Sequence, residues 1–144
     1  MSIFADCYVL VQARSRDHID AFLDHFLPER ELVIENWIVP YSARSDCGTI
    51  IDDVDELISH CLDHINEYQI ICWHTLRDMP PRIAEVYFTD DGAMIFCLSS
   101  HEGEDEQGWL QRLKDFVGTA IGYTTYENPP PMNAKAFRQV FESL

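Results

Sequence analysis

The sequence predicts an α+β domain with a mostly antiparallel sheet of five or six strands and with helices packed on one face. Three observations predict this class. Segments rich in β-branched and aromatic residues follow one another along the chain, and such runs of strands favour antiparallel pairing. Two of these segments flank Asp90-Asp91-Gly92, a turn sequence that tolerates the positive φ angles of a β-hairpin. Other segments place apolar residues at the spacing of an amphipathic helix.

The first half of the chain predicts two strands and two helices. In order, these elements are a strand over 5–13, a helix over 16–26, a strand over 31–41, a loop over 41–51 and a helix over about 53–66. Ser15 is a favourable N-cap for the first helix, and Pro28 ends it because proline has no backbone N–H group. Pro40 places the second strand at a sheet edge or marks its end. Asp52 or Asp53 caps the second helix.

The second half predicts further strands and two helices. In order, they are strands over 68–76, 83–89 and 93–98, a helix over about 106–117, a strand over 120–127 and a short terminal helix after Asn133. Gly118 or Gly122 ends the helix over about 106–117, because glycine readily adopts the conformation of a helix C-cap. Pro129-Pro130-Pro131 is a stiff spacer, and Asn133 caps the terminal helix.

The composition is that of a folded and strongly acidic protein. The 144 residues fit one domain, residues 1–144, and carry 25 Asp and Glu against 10 Lys and Arg, a formal net charge of −15. Disordered chains with such a charge have few aromatic residues, whereas 12% of these residues are aromatic, so we expect the chain to fold. The charge argues against nucleic acids and anionic membranes as partners, because both are recognised by clusters of Lys and Arg.

The chain predicts a cytoplasmic protein with reduced cysteines. The N-terminal residues lack the features of a secretory signal, and no apolar run is long enough to span a bilayer. The cysteines are odd in number and irregularly spaced, at positions Cys7, Cys47, Cys61, Cys72 and Cys97. We therefore expect all five thiols to be reduced and no disulfide to form.

No motif in the sequence is a complete catalytic or metal site, so we expect no catalytic residue, no metal and no cofactor. His60 and His64 lie one helical turn apart, as zinc ligands often do, but the sequence places no third ligand beside them. Cys72 and His74 share one face of a predicted strand, and Cys47 lies in a loop. Neither cysteine has the local signature of a nucleophile, and cysteine is most often a buried structural residue.

Two acidic stretches are the predicted contact surface for a partner. They comprise Asp52, Asp53, Asp55 and Glu56 before and within the second helix, and Glu102, Glu104, Asp105 and Glu106 before the third. Acidic residues in the first turn of a helix are favourable on their own, but the second stretch has more of them than this role needs. Complementary charge speeds association and disfavours wrong partners, so we expect a basic protein partner.

Three segments give the chain a resemblance to a known class of proteins. They are Phe26-Leu27-Pro28-Glu29-Arg30, the run from Phe88 to Ser99 and Glu127-Asn128-Pro129-Pro130-Pro131. With these segments the chain resembles small acidic bacterial immunity proteins of polymorphic toxin systems, or uncharacterised stand-alone domains of the same build. The resemblance covers most of the chain as a pattern of elements. It implies a binding protein that neutralises a toxin, and it transfers no catalytic residue.

The first functional hypothesis is therefore an acidic cytoplasmic immunity or inhibitor protein that neutralises a basic toxin or nuclease. One alternative is a small enzyme that uses Cys or His in a pocket between the sheet and the helices. The other is a structural domain that forms homo-oligomers, the simplest of which is a homodimer.

Overall fold

A computed structural model describes residues 3–41 and 47–144. Within these residues the strands are β1 (Phe4–Val11), β2 (Arg30–Leu32), β3 (Trp37–Val39), β4 (Thr49–Ile51), β5 (Gln69–Thr75), β6 (Ile83–Phe88), β7 (Met94–His101) and β8 (Gly122–Tyr126). The helices are α1 (Arg16–Phe26), α2 (Val54–Asp63), α3 (Glu106–Val117) and α4 (Ala134–Glu142).

Six strands form one antiparallel sheet in the order β2-β5-β6-β7-β1-β8, and β3 pairs with β4 in a separate small sheet. The predicted α+β class and the antiparallel sheet are confirmed. The predicted hairpin joins β6 to β7, and Gly92 in its turn has a φ of 90°. That angle is readily accessible to glycine, because glycine has no Cβ atom.

The larger core lies between the first face of the main sheet and three helices. The inward side chains of β1, β6 and β7, among them Val9, Val86 and Phe96, meet the apolar sides of α1, α2 and α3. Phe22 of α1 stacks on Phe96 with ring centroids 4.3 Å apart. Trp37 of β3 also joins this core. The small sheet therefore packs beside the helices.

The second face of the sheet carries a smaller core under α4. Phe137 of α4 is fully buried there, with its ring centroid 4.9 Å from that of Tyr123, and Tyr8 and Ile95 belong to the same cluster. The expectation that all helices pack on one face is therefore wrong for α4. The physical reason lies in β1 and β7, which are buried on both sides and carry mostly apolar residues. Strands of this kind need cover on both faces.

The predicted strand over 31–41 is two strands, and the predicted loop over 41–51 contains another. The chain follows β5 from Arg30 as far as Val33, whose N–H donates to the Cys72 carbonyl at 3.0 Å. It then leaves the sheet, and Trp37–Val39 pairs with Thr49–Ile51 instead. The apolar pattern of residues 31–41 predicts extended backbone, but it does not show where the chain stops pairing with one strand and begins to pair with another. Residues 42–46 of the predicted loop lie outside the described residues.

Arg14 ties α2 to the β6–β7 hairpin. Its guanidinium donates to the carbonyls of His64 and Glu67, each at 3.0 Å, and to the carbonyls of Cys61 and Thr89. The guanidinium carbon also lies 5.2 Å from the ring centroid of Phe88. One side chain therefore donates to carbonyls at the end of α2, in the turn that follows it and at the hairpin. We call this set of hydrogen bonds the Arg14 clamp.

Two further observations bear on the sequence expectations. All five cysteines are free thiols, of which Cys7, Cys61 and Cys97 are buried. None of the helices in residues 3–41 and 47–144 has the length and apolar character that a membrane crossing requires.

Candidate functional site

The first acidic stretch forms the start of α2. Asp53 is the N-cap, and its carboxylate accepts hydrogen bonds from the backbone N–H groups of Asp55 at 2.8 Å and of Glu56 at 3.1 Å. The Asp55 carboxylate pairs with Arg16 of α1. Asp52 and Glu56 are exposed, and their carboxylates form no hydrogen bond to any described residue. Only part of this stretch is therefore available to a partner without the loss of an internal contact.

The second acidic stretch is more strongly tied to the fold than the sequence indicates. The Glu104 carboxylate forms an ion pair with Arg82 at 2.7 Å and accepts the backbone N–H of His101 at 2.8 Å. The Trp109 indole donates to the Glu104 carbonyl at 3.0 Å. The guanidinium of Arg82 lowers the pKa of the Glu104 carboxyl, against a smaller effect of burial. Glu104 is thus a structural residue of the β7–α3 connection.

Of the three acidic neighbours of Glu104, two have internal partners and one does not. The Glu106 carboxylate accepts the Gly103 N–H at 2.8 Å, and the Asp105 carboxylate pairs with Arg112 at 3.3 Å. Glu102 is exposed, and its carboxylate has no hydrogen bond within the described part of the chain. The surplus of acids in this stretch is largely explained by internal pairing.

The two acidic stretches lie at opposite ends of the central strands. The second stretch follows the C-terminal end of β7, and the Glu102 N–H donates to the Ile3 carbonyl before β1. The first stretch contacts Arg16, which follows the other end of β1. An eight-residue strand spans about 25 Å. The fold therefore does not bring the two predicted partner surfaces together.

An apolar groove lies where the chain leaves the edge of β5. Residues 33–41 form an arch over this edge, anchored at one end by Val33 on the Cys72 carbonyl and at the other by the Gln69 side chain, which donates to the Ile38 carbonyl at 3.1 Å. The space under the arch has a volume of about 520 Å³. We call it the edge groove, and its principal lining residues are Val33, Ile34, Trp37, Tyr41, Ile70 and Glu85.

Exposed apolar side chains form the wall of the edge groove. Val33 is 51% exposed, Ile34 is 55% exposed and Tyr41 is 47% exposed, and they lie close together along nine residues of chain. Isolated exposed apolar side chains are ordinary on protein surfaces, but a cluster that lines a concave site marks a binding surface. The sequence does not predict this wall, because Val33, Ile34 and Tyr41 fall within one continuous predicted strand over 31–41.

A half-buried carboxylate, Glu85, lies on the floor of the edge groove. Glu85 pairs across the sheet with Cys72 on one side and with Cys97 on the other. Burial raises the pKa of the Glu85 carboxyl and the charge of Asp6 raises it further, while Tyr87 and Cys97 act in the opposite direction. A cation that entered the groove would restore the interactions that the carboxylate loses on leaving water. None of the described residues that line the groove is basic.

The pair of Cys72 and His74 does not have the properties of an activated nucleophile. Burial raises the pKa of the Cys72 thiol to about 12, and the neighbouring Glu85 adds to the shift. Nucleophilic cysteines have a lowered pKa, because the thiolate is the reactive form. His74 directs its Nδ1 atom to the Thr75 carbonyl at 3.2 Å. This geometry disfavours the enzyme hypothesis at that position.

The structure places a third potential ligand beside His60 and His64. The predicted helix over about 53–66 ends at Asp63, and the Glu67 N–H donates to the His64 carbonyl at 3.0 Å in the turn that follows. In a continuous helix, Glu67 would lie about 10 Å along the axis from His60. The turn instead brings its Oε1 atom to 3.0 Å from His60 Nε2. The spacing of the three residues was visible in the sequence, but their proximity depends on where the helix ends.

Comparison with known proteins provides no relative for this arrangement. No protein family, no curated protein and no solved structure matches the chain. The resemblance to immunity proteins therefore stays a prediction.

Proposed function

We propose that the protein is an acidic binding protein of the cytoplasm that blocks a basic protein partner, as an immunity or inhibitor protein does with a toxin or nuclease. The observation that carries this proposal is the edge groove, with its exposed apolar wall and the carboxylate of Glu85 on its floor. The matching occupant is a segment that combines apolar side chains with one Lys or Arg.

The apolar wall supplies the affinity in this proposal. Burial of one side chain such as Ile34 on binding contributes about 1.5–3 kcal/mol. Tyrosine, here the exposed Tyr41, is one of the residue types most often found at the energetic centre of an interface.

The net charge of the chain favours a partner with a positive net charge. The chain carries a formal charge of −15, so two copies repel each other, whereas a basic protein is attracted. Charge complementarity therefore favours a basic partner over the homo-oligomer. The exposed carboxylates of Asp52, Glu56 and Glu102 serve as steering charges in this proposal, since the negative field of the whole molecule raises the association rate of a basic protein.

The test is capture of a partner by immobilised protein from a lysate of the source cells, followed by identification and assay of the captured protein. The proposal expects a protein with an isoelectric point above about 9 whose activity falls when an equimolar amount of this chain is added. Ile34→Ser and Glu85→Gln should each raise the dissociation constant by about tenfold or more, which is 1.4 kcal/mol.

Leu76→Ser is the matched control, because Leu76 is 60% exposed and lies outside the edge groove. This control should bind as the wild type does. Capture of an acidic protein, equal affinity of Ile34→Ser and wild type, or a stable dimer that Ile34→Ser dissociates would each contradict the proposal. The last result would instead support the homo-oligomer.

A further inference from the structure

We propose that His60, His64 and Glu67 form a binding site for a divalent transition metal, with Zn²⁺ as the preferred ion. We call these three residues the His-His-Glu cluster. The sequence-based expectation of no metal rested on the absence of a third ligand, and Glu67 supplies it. The proposal is independent of the edge groove.

The donor atoms are already close to the spacing that a metal ion requires. One potential ligand atom from each residue lies within 4.8 Å of the other two. In a tetrahedral zinc site with bonds of about 2.0–2.2 Å, ligand atoms lie about 3.3 Å apart. The 3.0 Å separation of His60 Nε2 and Glu67 Oε1 is near this value. The separations therefore have to shorten by at most about 1.5 Å, which a small rotation of the exposed His64 side chain can provide.

The chemistry of the donors points to a transition metal. Two imidazole nitrogens and one carboxylate oxygen suit zinc, whereas magnesium and calcium prefer oxygen ligands alone. A site with three protein ligands leaves one coordination position for water, as in sites of the same donor type that bind zinc tightly. The formal charge of −15 also raises the local concentration of cations around the molecule.

Existing hydrogen bonds orient the His64 ring for coordination. His64 Nδ1 lies 2.8 Å from the His60 carbonyl, so in the neutral tautomer Nδ1–H donates to that carbonyl and the Nε2 lone pair is left for a metal. A hydrogen bond of this kind is the usual second partner of a metal-bound histidine. The ring stacks on that of His60 at a centroid distance of 4.0 Å and an angle of 15°.

The Arg14 clamp holds the backbone of two ligands in place. Its guanidinium donates to the His64 and Glu67 carbonyls, and the turn between these residues is closed by its own hydrogen bond. Metal affinity is higher when the ligands are held before binding, because less freedom is lost. The backbone of these two ligands is therefore held by the fold, and only side-chain adjustment is needed when a metal binds.

The test is calorimetric titration of the metal-stripped, untagged chain with zinc chloride at 150 mM NaCl. The proposal expects one site per chain with a dissociation constant in the micromolar range or below. His64→Ala and Glu67→Gln should each weaken binding by at least about tenfold, since loss of even an indirect partner of a ligand has an effect of this size. Zinc should also raise the melting temperature of the wild type, because it binds the folded state.

Two control variants should keep the site. His74→Ala removes a histidine outside the cluster, and Asp63→Asn removes an exposed acid next to it. Wild-type zinc affinity in both controls, together with its loss in His64→Ala and Glu67→Gln, supports the proposal. No binding at one equivalent overturns it, as does weak binding of several ions that His64→Ala leaves unchanged. The latter result would assign zinc binding to the acidic surface as a whole.

Discussion

At the scale of single residues, Glu85 has a carboxylate whose ionised form is disfavoured by its surroundings in the fold. It lies half-buried on the second face of the sheet, and Asp6 on the same face raises its pKa further. Asp6 itself has a raised pKa because of burial, although its carboxylate accepts a hydrogen bond from Ser99 at 2.5 Å. Two carboxylates that disfavour each other's charge lower the stability of the fold at neutral pH. Binding of a cation in the edge groove would compensate for this cost.

Glu85→Gln should therefore raise the melting temperature at pH 8 and weaken binding of the basic partner. The folded-state pKa of an acid is raised here, so the stability it contributes is present at low pH and is lost as the pH rises through the folded pKa. The wild type should thus lose more stability than Glu85→Gln between pH 5 and pH 8. Thermal unfolding of both proteins at the two pH values measures this difference. A variant that is less stable than the wild type at pH 8 would contradict the assignment.

Helix N-caps are the residues that the sequence predicted best. Ser15, Asp53 and Asn133 each accept a backbone N–H from the first turn of the helix that follows. Capping depends on neighbours within three residues and is therefore visible in the sequence. Arg82, the ion-pair partner of Glu104, and Asp6, which acts on Glu85, are distant in the chain, so these interactions follow only from the fold.

At the scale of elements, the Arg14 clamp joins segments that are far apart in the chain. It satisfies carbonyls of Cys61, His64, Glu67 and Thr89, at the end of α2, in the turn after it and at the hairpin between β6 and β7. Lysine cannot replace this arrangement, because it lacks the planar fork of donors.

Arg14→Met should lower the free energy of unfolding by about 3 kcal/mol, because several carbonyls lose a charged donor at once. Urea denaturation followed by circular dichroism measures the change. Arg138→Met is the control, since Arg138 forms no ion pair within the described residues, and it should change the free energy of unfolding by less than about 0.5 kcal/mol. Equal stability of the two variants would show that water replaces the guanidinium at no cost.

Helices and strands were largely predictable from the sequence where a segment keeps a single periodic pattern of apolar residues. The predicted bounds of α1 and α3 agree with the structure, because their apolar residues keep a helical period from cap to end. The division of 31–41 into β2 and β3 was not predictable, since strand pairing depends on contacts far away in the sequence. The edge groove arises at this division, so the candidate site was missed for the same reason.

At the scale of the whole molecule, most of the described arginines pair with carboxylates of the same chain, and most of the described acids are not buried. Arg16, Arg30, Arg77, Arg82 and Arg112 form ion pairs with carboxylates within the described residues. Exposed pairs of this kind contribute little to stability, with a median of about 0–1 kcal/mol each. With 25 acidic residues in the chain, most carboxylates have no such pair, and their mutual repulsion is the larger electrostatic effect.

Salt should therefore stabilise this protein. Between 0.01 M and 0.5 M NaCl the Debye length falls from about 30 Å to a few Å, which screens repulsion across the molecule. We expect the melting temperature to rise over this range at pH 7.5. The same ionic strength should slow association with a basic partner, so stability and association rate change in opposite directions. A melting temperature that falls with salt would show that the ion pairs outweigh the repulsion.

The arch that forms the wall of the edge groove has a consequence for how such a protein can evolve. Val33 and Ile34 are exposed, and the residues that hold the fold together, such as Arg14 and Phe96, lie in other segments. In the proposed function, substitutions at the exposed residues 33–36 of the arch can therefore change the preferred partner while leaving the core intact. Lineages that face different partners should diverge fastest at residues 33–36, with Arg14 retained. The separation of recognition from folding would allow one scaffold to supply a set of inhibitors with distinct targets.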